Sequence, residues 1–346
     1  MKTISVAKLP ELFSAIAEEM ALYLPADHAG KVAFLRYGEG VTPALDALNS
    51  SKSPKDLFFP QSENLMAFKR DGKKIEIIDT REEEKPFAVF GIRACDLQAL
   101  HVLDRVFLAD PVDTYYQQRR QNGVLIAAAC VSPEEHCFCG SFGIDAASPA
   151  GDIVTYTVDD KVYWQPITEK GKDLTDRLPS SLLTEDTVGD TAVEQVKTHI
   201  HETFAKLPLS GLQPPHYDHD TQKNAFDHEI WGKLSAACLG CGTCTFVCPT
   251  CQCYDIRDYD TGHGIQRFRC WDSCMYSDFT KMAGGNPRLT QLERFRQRFM
   301  HKLVYFPINN EGVYSCVGCG RCVDQCPVSL NIVKVMKALG GGKGNE

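Results

Sequence analysis

The chain has 346 residues, 43% of them hydrophobic, and a net charge of -8, which suits roughly two domains with substantial cores and disfavours nucleic acid as a partner. No apolar run approaches the ~20 residues of a membrane span, and the opening Met1 to Val6 lacks the apolar stretch of a secretory signal. Sixteen cysteines without such a signal argue against a disulfide scaffold and for metal in a reducing, cytoplasmic compartment.

Residues 4 to 23 carry Leu9, Leu12, Phe13, Ile16, Met20 and Leu22 at helical spacing, an amphipathic helix facing a core. Lys31 to Arg36 reads as a strand. Residues 57 to 79 read as two more short strands, Leu57 to Phe59 and Ile75 to Ile78, with a turn at Asp71-Gly72. Pro86 to Ile92 is a continuous apolar run, as in a strand covered on both faces. Arg93-Ala94-Cys95-Asp96 follows, then a helical pattern of Leu97, Leu100, Leu103, Val106 and Phe107, with Asp96 suited to the N-cap. Residues 111 to 120 read as helix. Val124 to Ala129 is a second buried strand ending at Cys130, and Val131 to Gly143 is a loop holding His136-Cys137-Phe138-Cys139.

That order yields a candidate site. Cys95 and Cys130 each fall just past the C-terminal end of a predicted parallel strand, the edge where ligand sites of open α/β sheets gather. Cys137 and Cys139 lie on the loop leaving the second strand. Two readings stay open: the four thiols converge on an iron-sulfur cluster, or two are buried structural cysteines beside a C-x-C of no special role. His136 reads as a loop histidine rather than a ligand.

Residues 151 to 166 alternate around Asp159-Asp160 as a hairpin. Residues 170 to 190 are polar and weakly patterned, and Ala192 to Phe204 reads as helix. Pro208, Pro214 and Pro215 mark a linker over 207–228. Asp227 to Ala237 reads as a helix leading into the densest cysteine motif of the chain.

That motif, Cys238 to Pro249, has the spacing C-x2-C-x2-C-x3-C-P, and Cys316 to Pro327 repeats it. A [4Fe-4S] cubane needs four thiolates at the corners of a tetrahedron. Closely spaced cysteines wrap three corners in a tight turn, and Gly240, Gly242, Gly318 and Gly320 let the backbone approach the sulfides. The fourth cysteine of each run reaches the other cluster in two-cluster ferredoxins. The spacing therefore assigns Cys238, Cys241, Cys244 and Cys326 to one cluster, and Cys316, Cys319, Cys322 and Cys248 to a second. Cys95, Cys130, Cys137 and Cys139 are the candidates for a third.

Four cysteines remain: Cys251, Cys253, Cys270 and Cys274. They read either as a further metal site or redox-active pair, or as buried cysteines lining a cofactor-dense core. Lys281 to Lys302 places Arg288, Arg294, Arg296 and Arg298 on a helix with Leu292, Phe295 and Phe299. Its basic face either docks an acidic partner, offsets cluster charge, or is merely solvated. The flanks of the cysteine runs, 228 to 237, 288 to 303 and Asn331 to Leu339, read as helices. The expected fold class is thus α+β: an N-terminal α/β domain over 1–206, then an all-α, helical-ferredoxin-type domain over 229–339, with a disordered tail over 340–346.

These motifs, taken in order, resemble one known family. Ala94-Cys95-Asp96, His136 to Cys139, Cys248 to Tyr254, Trp271 to Met275 and Met282 to Gly285 are similar to the iron-sulfur subunit shared by anaerobic sulfite reductase, as its A subunit, and sulfhydrogenase-type [NiFe] hydrogenases, as their beta subunit. Cys270 stands where that motif need not carry cysteine, which weakens a site built from Cys251, Cys253, Cys270 and Cys274. The resemblance implies one component of a soluble complex. A neighbouring subunit would carry FAD, an NAD(P) site and a possible [2Fe-2S] centre, and another would hold the hydrogenase or sulfite reductase-type catalytic site. This chain would relay single electrons between them. It has no G-x-G-x-x-G, no G-x4-G-K-[ST] and no catalytic triad, and Gly38-Glu39-Gly40 is too short to count. Two other readings stand beside the relay: a flavin- or substrate-binding reductase subunit using the Cys95 edge, and a redox-sensing scaffold.

Overall fold

A computed structural model describes residues 1–47, 50–81 and 85–340. In chain order its strands are β1 (Lys2–Ser5), β2 (Ala21–His28), β3 (Lys31–Arg36), β4 (Ser62–Asp71), β5 (Lys74–Asp79), β6 (Phe87–Ile92), β7 (Gly123–Ala128), β8 (Ile153–Val158), β9 (Lys161–Pro166), β10 (Thr184–Glu185), β11 (Tyr254–Asp260) and β12 (Ile265–Trp271). Eight of them form one sheet in the order β10-β1-β9-β8-β7-β6-β2-β3. Its centre, β2-β6-β7-β8, is parallel, and its margins are antiparallel.

The apolar runs explain that centre. Val89, Leu125 and Ala127 pack on one face, while Ala88, Phe90, Val124 and Ile126 pack on the other. A strand buried on both faces has no need for polar alternation. Helix α1 (Leu9–Glu19) covers the second face through Leu12, Phe13 and Ile16. It is shorter than the helix predicted over 4 to 23, because β1 and β2 occupy the two ends of that stretch. Helix α2 (Ala94–Phe107) follows β6 on the first face through Leu97, Leu100 and Leu103. Its N-cap is Arg93; Asp96, expected there, sits in the first turn and is held by a distant arginine. Helix α3 (Thr114–Asn122) is capped by Asp113, which accepts from the Tyr115 and Tyr116 amides. The polar stretch 170 to 190 holds α4 (Glu169–Arg177), which buries only Gly171, Leu174 and Thr175, and the two-residue β10. Helix α5 (Gly189–Ala205) follows as expected.

Two expectations fail in the second sheet. Leu57 to Phe59 is not a strand: Pro54–Leu57 is a 3-10 turn, and Phe58 and Phe59 bury themselves as core plugs. The strand lies further on, in β4. The stretch between the cysteine runs is not all helical. It contains the hairpin β11–β12, which continues the sheet in the order β11-β12-β4-β5. The C-terminal part is therefore not an all-α domain, and it shares a sheet with the N-terminal part. A buried network locks that junction. Arg269 on β12 donates through Nε to Glu63 at 2.6 Å and pairs with Asp113, while Arg119 also pairs with Glu63.

The rest of the C-terminal part is helical. Within the predicted linker, α6 (Gln222–Phe226) leads to α7 (Ile230–Ser235), and Trp231 Nε1 donates to the Ala225 carbonyl at 2.7 Å. The cysteine runs contain one-turn helices, α8 (Thr243–Phe246) and α11 (Arg321–Asp324). Helix α9 (Gln291–Met300) opens with a capping box between Thr290 and Glu293, then runs through a π-turn, His301–Tyr305, into α10 (Phe306–Asn309). Helix α12 (Ile332–Leu339) is capped by Asn331. Trp231, Phe295, Phe299, Val335 and Met336 form their common core. From 341 onward the predicted tail lies outside the described residues.

Candidate metal centres

The first cysteine run leaves α7 and turns at Gly240 and Gly242, whose φ values are +65° and +75°. Both lie in the left-handed region that a Cβ disfavours. A Cβ on Gly242 would also meet the Tyr276 hydroxyl at 2.6 Å, so that side chain would have to shift. This turn brings Cys238, Cys241 and Cys244 to one apolar cleft walled by Phe295 and Phe299, and Cys326 of the second run lines the same cleft. Gln291 Nε2 donates to Cys238 Sγ at 3.3 Å, and the Leu330 amide donates to Cys326 Sγ at 3.2 Å. Burial pushes the Cys244 thiol up to about 11.

Cys248 turns away from its own run and joins Cys316, Cys319 and Cys322, each of which feels its charge. Burial pushes the Cys316 thiol up to about 12. Gly318 and Gly320 have φ of +58° and +79°, and a Cβ on either would strike the backbone of the loop holding His136 to Cys139: Phe138 O at 2.4 Å and His136 O at 2.7 Å. The Phe138 amide donates to Gly318 O at 2.8 Å. The second run therefore rests directly on the N-terminal loop.

At that contact Cys95, Cys130, Cys137 and Cys139 line one cleft, with Arg93, Phe204 and Cys319. Cys95 follows β6 and Cys130 follows β7, so the parallel register carries both to the same sheet edge. Burial pushes Cys137 up to about 11 and Cys139 up to about 12. His136 faces outward, 3.5 Å from Glu135, as a loop histidine does. Arg321 spans the contact: it pairs bidentately with Asp96 at 2.6 and 2.8 Å and donates to Ser50 O at 2.8 Å.

The three thiol sets follow one another. Cys244 of the first is charge-coupled to Cys322 of the second, and Cys319 of the second lines the cleft of the third. Among the described residues no group of three or more His, Cys, Asp or Glu is arranged to hold a metal ion as it stands. Two of the three thiol sets line clefts, which gives room for a group larger than a single ion. Residues 237–330 match the family model of the 4Fe-4S dicluster domain. Over 337 residues, 96% of each chain, the sequence is 31% identical to Sulfhydrogenase 2 subunit beta of Pyrococcus furiosus. The chain belongs to the sulfhydrogenase beta-subunit family. No solved structure matches it. No helix among the described residues is long and apolar enough to cross a membrane.

As in any member of this iron-sulfur family, clustered anionic sulfur needs compensating charge, and the structure shows where it is. The basic helix resolves into two kinds of residue. Arg298 and Lys302 are buried; Arg298 donates to Cys244 O at 3.1 Å, and Lys302 donates to Thr250 Oγ1 at 2.8 Å and Ser315 O at 3.0 Å. Burial works against the Lys302 charge, yet Cys248, Cys251 and Cys316 hold its pKa above the ordinary lysine value. Arg296 instead stacks on Phe226, 3.6 Å from the ring centre. Lys55 escaped the sequence reading altogether. Its ammonium donates to Cys248 O at 3.1 Å and Cys251 O at 2.9 Å, over the Trp271 ring at 3.6 Å. Ser-Lys-Ser-Pro-Lys-Asp reads as solvated surface, and nothing local signals a buried cation. The last four cysteines do not form one set. Cys251 contacts Cys248, Cys253 contacts Cys274, and Cys270 stands apart on β12 among Arg257, Asp255 and Asp272.

Proposed function

We infer that this chain is the electron-relay subunit of a soluble, cytoplasmic oxidoreductase complex. It passes single electrons between an FAD- and NAD(P)-binding subunit, with a possible [2Fe-2S] centre, and a catalytic subunit of hydrogenase or sulfite/sulfur reductase type. Cys238, Cys241, Cys244 and Cys326 hold one [4Fe-4S] cluster. Cys248, Cys316, Cys319 and Cys322 hold a second. Cys95, Cys130, Cys137 and Cys139 hold a third. When bound, each cubane supplies reversible one-electron redox chemistry.

The observation that carries this reading is the succession of three thiol sets, from a cleft with an exposed Cys241 at one end to the cleft at the junction of the two parts. A binding module would need one such set; three in succession make a path. The protein's own part is to exclude water with Phe295, Phe299 and Phe204, and to stabilise the anionic sites with Arg298, Lys302 and Arg321. Iron and acid-labile sulfide analysis of anaerobically purified subunit tests it. About twelve irons per chain are expected, about eight of them from the two C-terminal sets. Cys130→Ser should remove about four irons and leave the others. Four or fewer irons in the unmodified chain would end the reading.

A further inference from the structure

Three thiols beyond the cluster sets lie in the core between the first and second sets. Two of them are in contact: Cys253 and Cys274 share a thiol-thiol hydrogen bond, and the Cys274 amide also donates to Cys253. The fold makes this contact deliberately. Tyr254 pairs with Trp271 at the base of the β11–β12 hairpin, and the Asp272 amide closes on Cys253 O at 2.9 Å. The two chain ends leaving the hairpin are thereby held side by side, with one cysteine on each. Ser273 is fully buried and fixes the second end, since Thr245 Oγ1 donates to its hydroxyl at 2.8 Å and the Met275 amide donates to it at 3.1 Å.

The surroundings separate the possible roles. A cubane needs four thiolates, and beyond the three assigned sets Cys253 and Cys274 have beside them only Cys251, which is itself in contact with Cys248. Cys270 lies elsewhere, among Arg257, Asp255 and Asp272. Contacting thiols at the ends of a fixed hairpin suit a disulfide, which needs its two Cβ atoms close and its backbone held. Their neighbours are the cluster sets themselves. Cys274 is charge-coupled to Cys244 of the first set, and Cys253 to Cys251, which contacts Cys248 of the second.

We propose that Cys253 and Cys274 form a reversible dithiol-disulfide couple, a two-electron store set between two one-electron sites. This rests on the relay reading for its electron source and sink. On reduction the Cys253–Cys274 sulfur-sulfur bond breaks. Two electrons arrive singly from the adjacent iron-sulfur sites, two protons come from solvent, and two thiols result. On oxidation the S–S bond forms again, the protons leave, and the electrons return to those sites.

The test uses the iron-loaded subunit, poised anaerobically at a series of potentials with redox-dye mediators. Samples are quenched in acid, unfolded in an alkylating reagent, digested and weighed. The peptides of Cys253 and Cys274 should be joined at high potential and both alkylated at low potential, with the steepness of a two-electron couple. C253S should abolish the link while leaving the iron content and the EPR signals of the clusters unchanged. The proposal is overturned if both cysteines are alkylated, or both protected, at every potential. It is also overturned if Cys253 links to Cys251 instead, or if C253S loses iron, because that makes Cys253 a metal ligand. A shortage of iron in the unmodified chain would defeat the relay reading separately.

Discussion

Lys302 offers the sharpest physical test, because a buried charge beside an iron-sulfur site must show in its potential. Its ammonium is 2.8 Å from Thr250 Oγ1, which is itself 3.2 Å from Cys248 Sγ, and the lysine is 4% exposed. The two contacts place the charge within about 6 Å of that sulfur. At that distance, with an effective dielectric of about 20, one charge interacts with one added electron by roughly 2.8 kcal/mol, or about 120 mV for a one-electron couple. The electron spreads over the cube beyond the sulfur, so a shift of about 50 to 120 mV is expected. Lys302→Met removes the charge with little change in volume, and the reduced state then loses stabilisation. The potential of the site containing Cys248 should fall by that amount. The set containing Cys238 should move less, since its cleft is lined by Arg298 rather than Lys302. Potentiometric EPR of the anaerobic subunit reads both, and Lys302→Arg, which keeps the charge, should restore most of the shift. Retained iron with a potential unmoved within ~20 mV, or moved upward, would refute the argument.

Arg321→Met leaves Asp96, 2% exposed, without its partner and should cost about 3–5 kcal/mol, read as a lower melting temperature. The double change D96L with R321M should recover most of that loss, because the pair itself is worth far less than its rupture. Gly318→Ala puts a Cβ 2.4 Å from Phe138 O at a φ of +58°, so the loop of Cys137 and Cys139 must move and iron should be lost from the third set. Phe299→Ala opens a cavity in the helical core and should cost about 3–5 kcal/mol in denaturant unfolding. Burial, with Lys302 and Arg288 adding, pushes His301 down to about 4 from the ordinary 6.5. The unfolded chain therefore binds a proton there before the folded chain does, and stability falls as pH drops from about 6.5 towards 4. His301→Gln should flatten that part of the stability curve.

Continuous apolar runs made the centre of the eight-stranded sheet legible, because Phe87–Ile92 and Gly123–Ala128 are buried on both faces, whereas β1 and β2 overlapped the two ends of the helix predicted over 4 to 23 and β10 lay inside the polar stretch 170 to 190. The two apolar strands also gave the Cys95 and Cys130 edge, since strand direction alone decides which residues meet there. The hairpin β11–β12 stayed hidden because its first strand, Tyr-Asp-Ile-Arg-Asp-Tyr-Asp, buries almost nothing and is exposed along most of its length. Its second strand, β12, pairs with β4, a partner far away in the chain. Lys55 stayed hidden for the same reason: its burial is created by residues near 250 and 271 that no local pattern mentions. The contact between Cys253 and Cys274 depends on that unseen hairpin, so spacing alone left the last four cysteines ungrouped.

The shared sheet changes what kind of device this is. If a ferredoxin-like part were merely tethered to an α/β part, the second and third thiol sets would separate and approach with each domain motion. Here three ties cross the junction: the β4–β12 ladder, the Arg269-Glu63-Asp113 network, whose Arg269 and Glu63 face each other on that ladder, and Arg321 on Asp96. Two of the three involve charges buried on both sides, where removing one partner strands the other. The third set also cannot close without the second run, because Cys319 and Gly318 form part of its wall. Fixed spacing follows from those ties, and fixed spacing is what a relay requires and a flexible sensor does not.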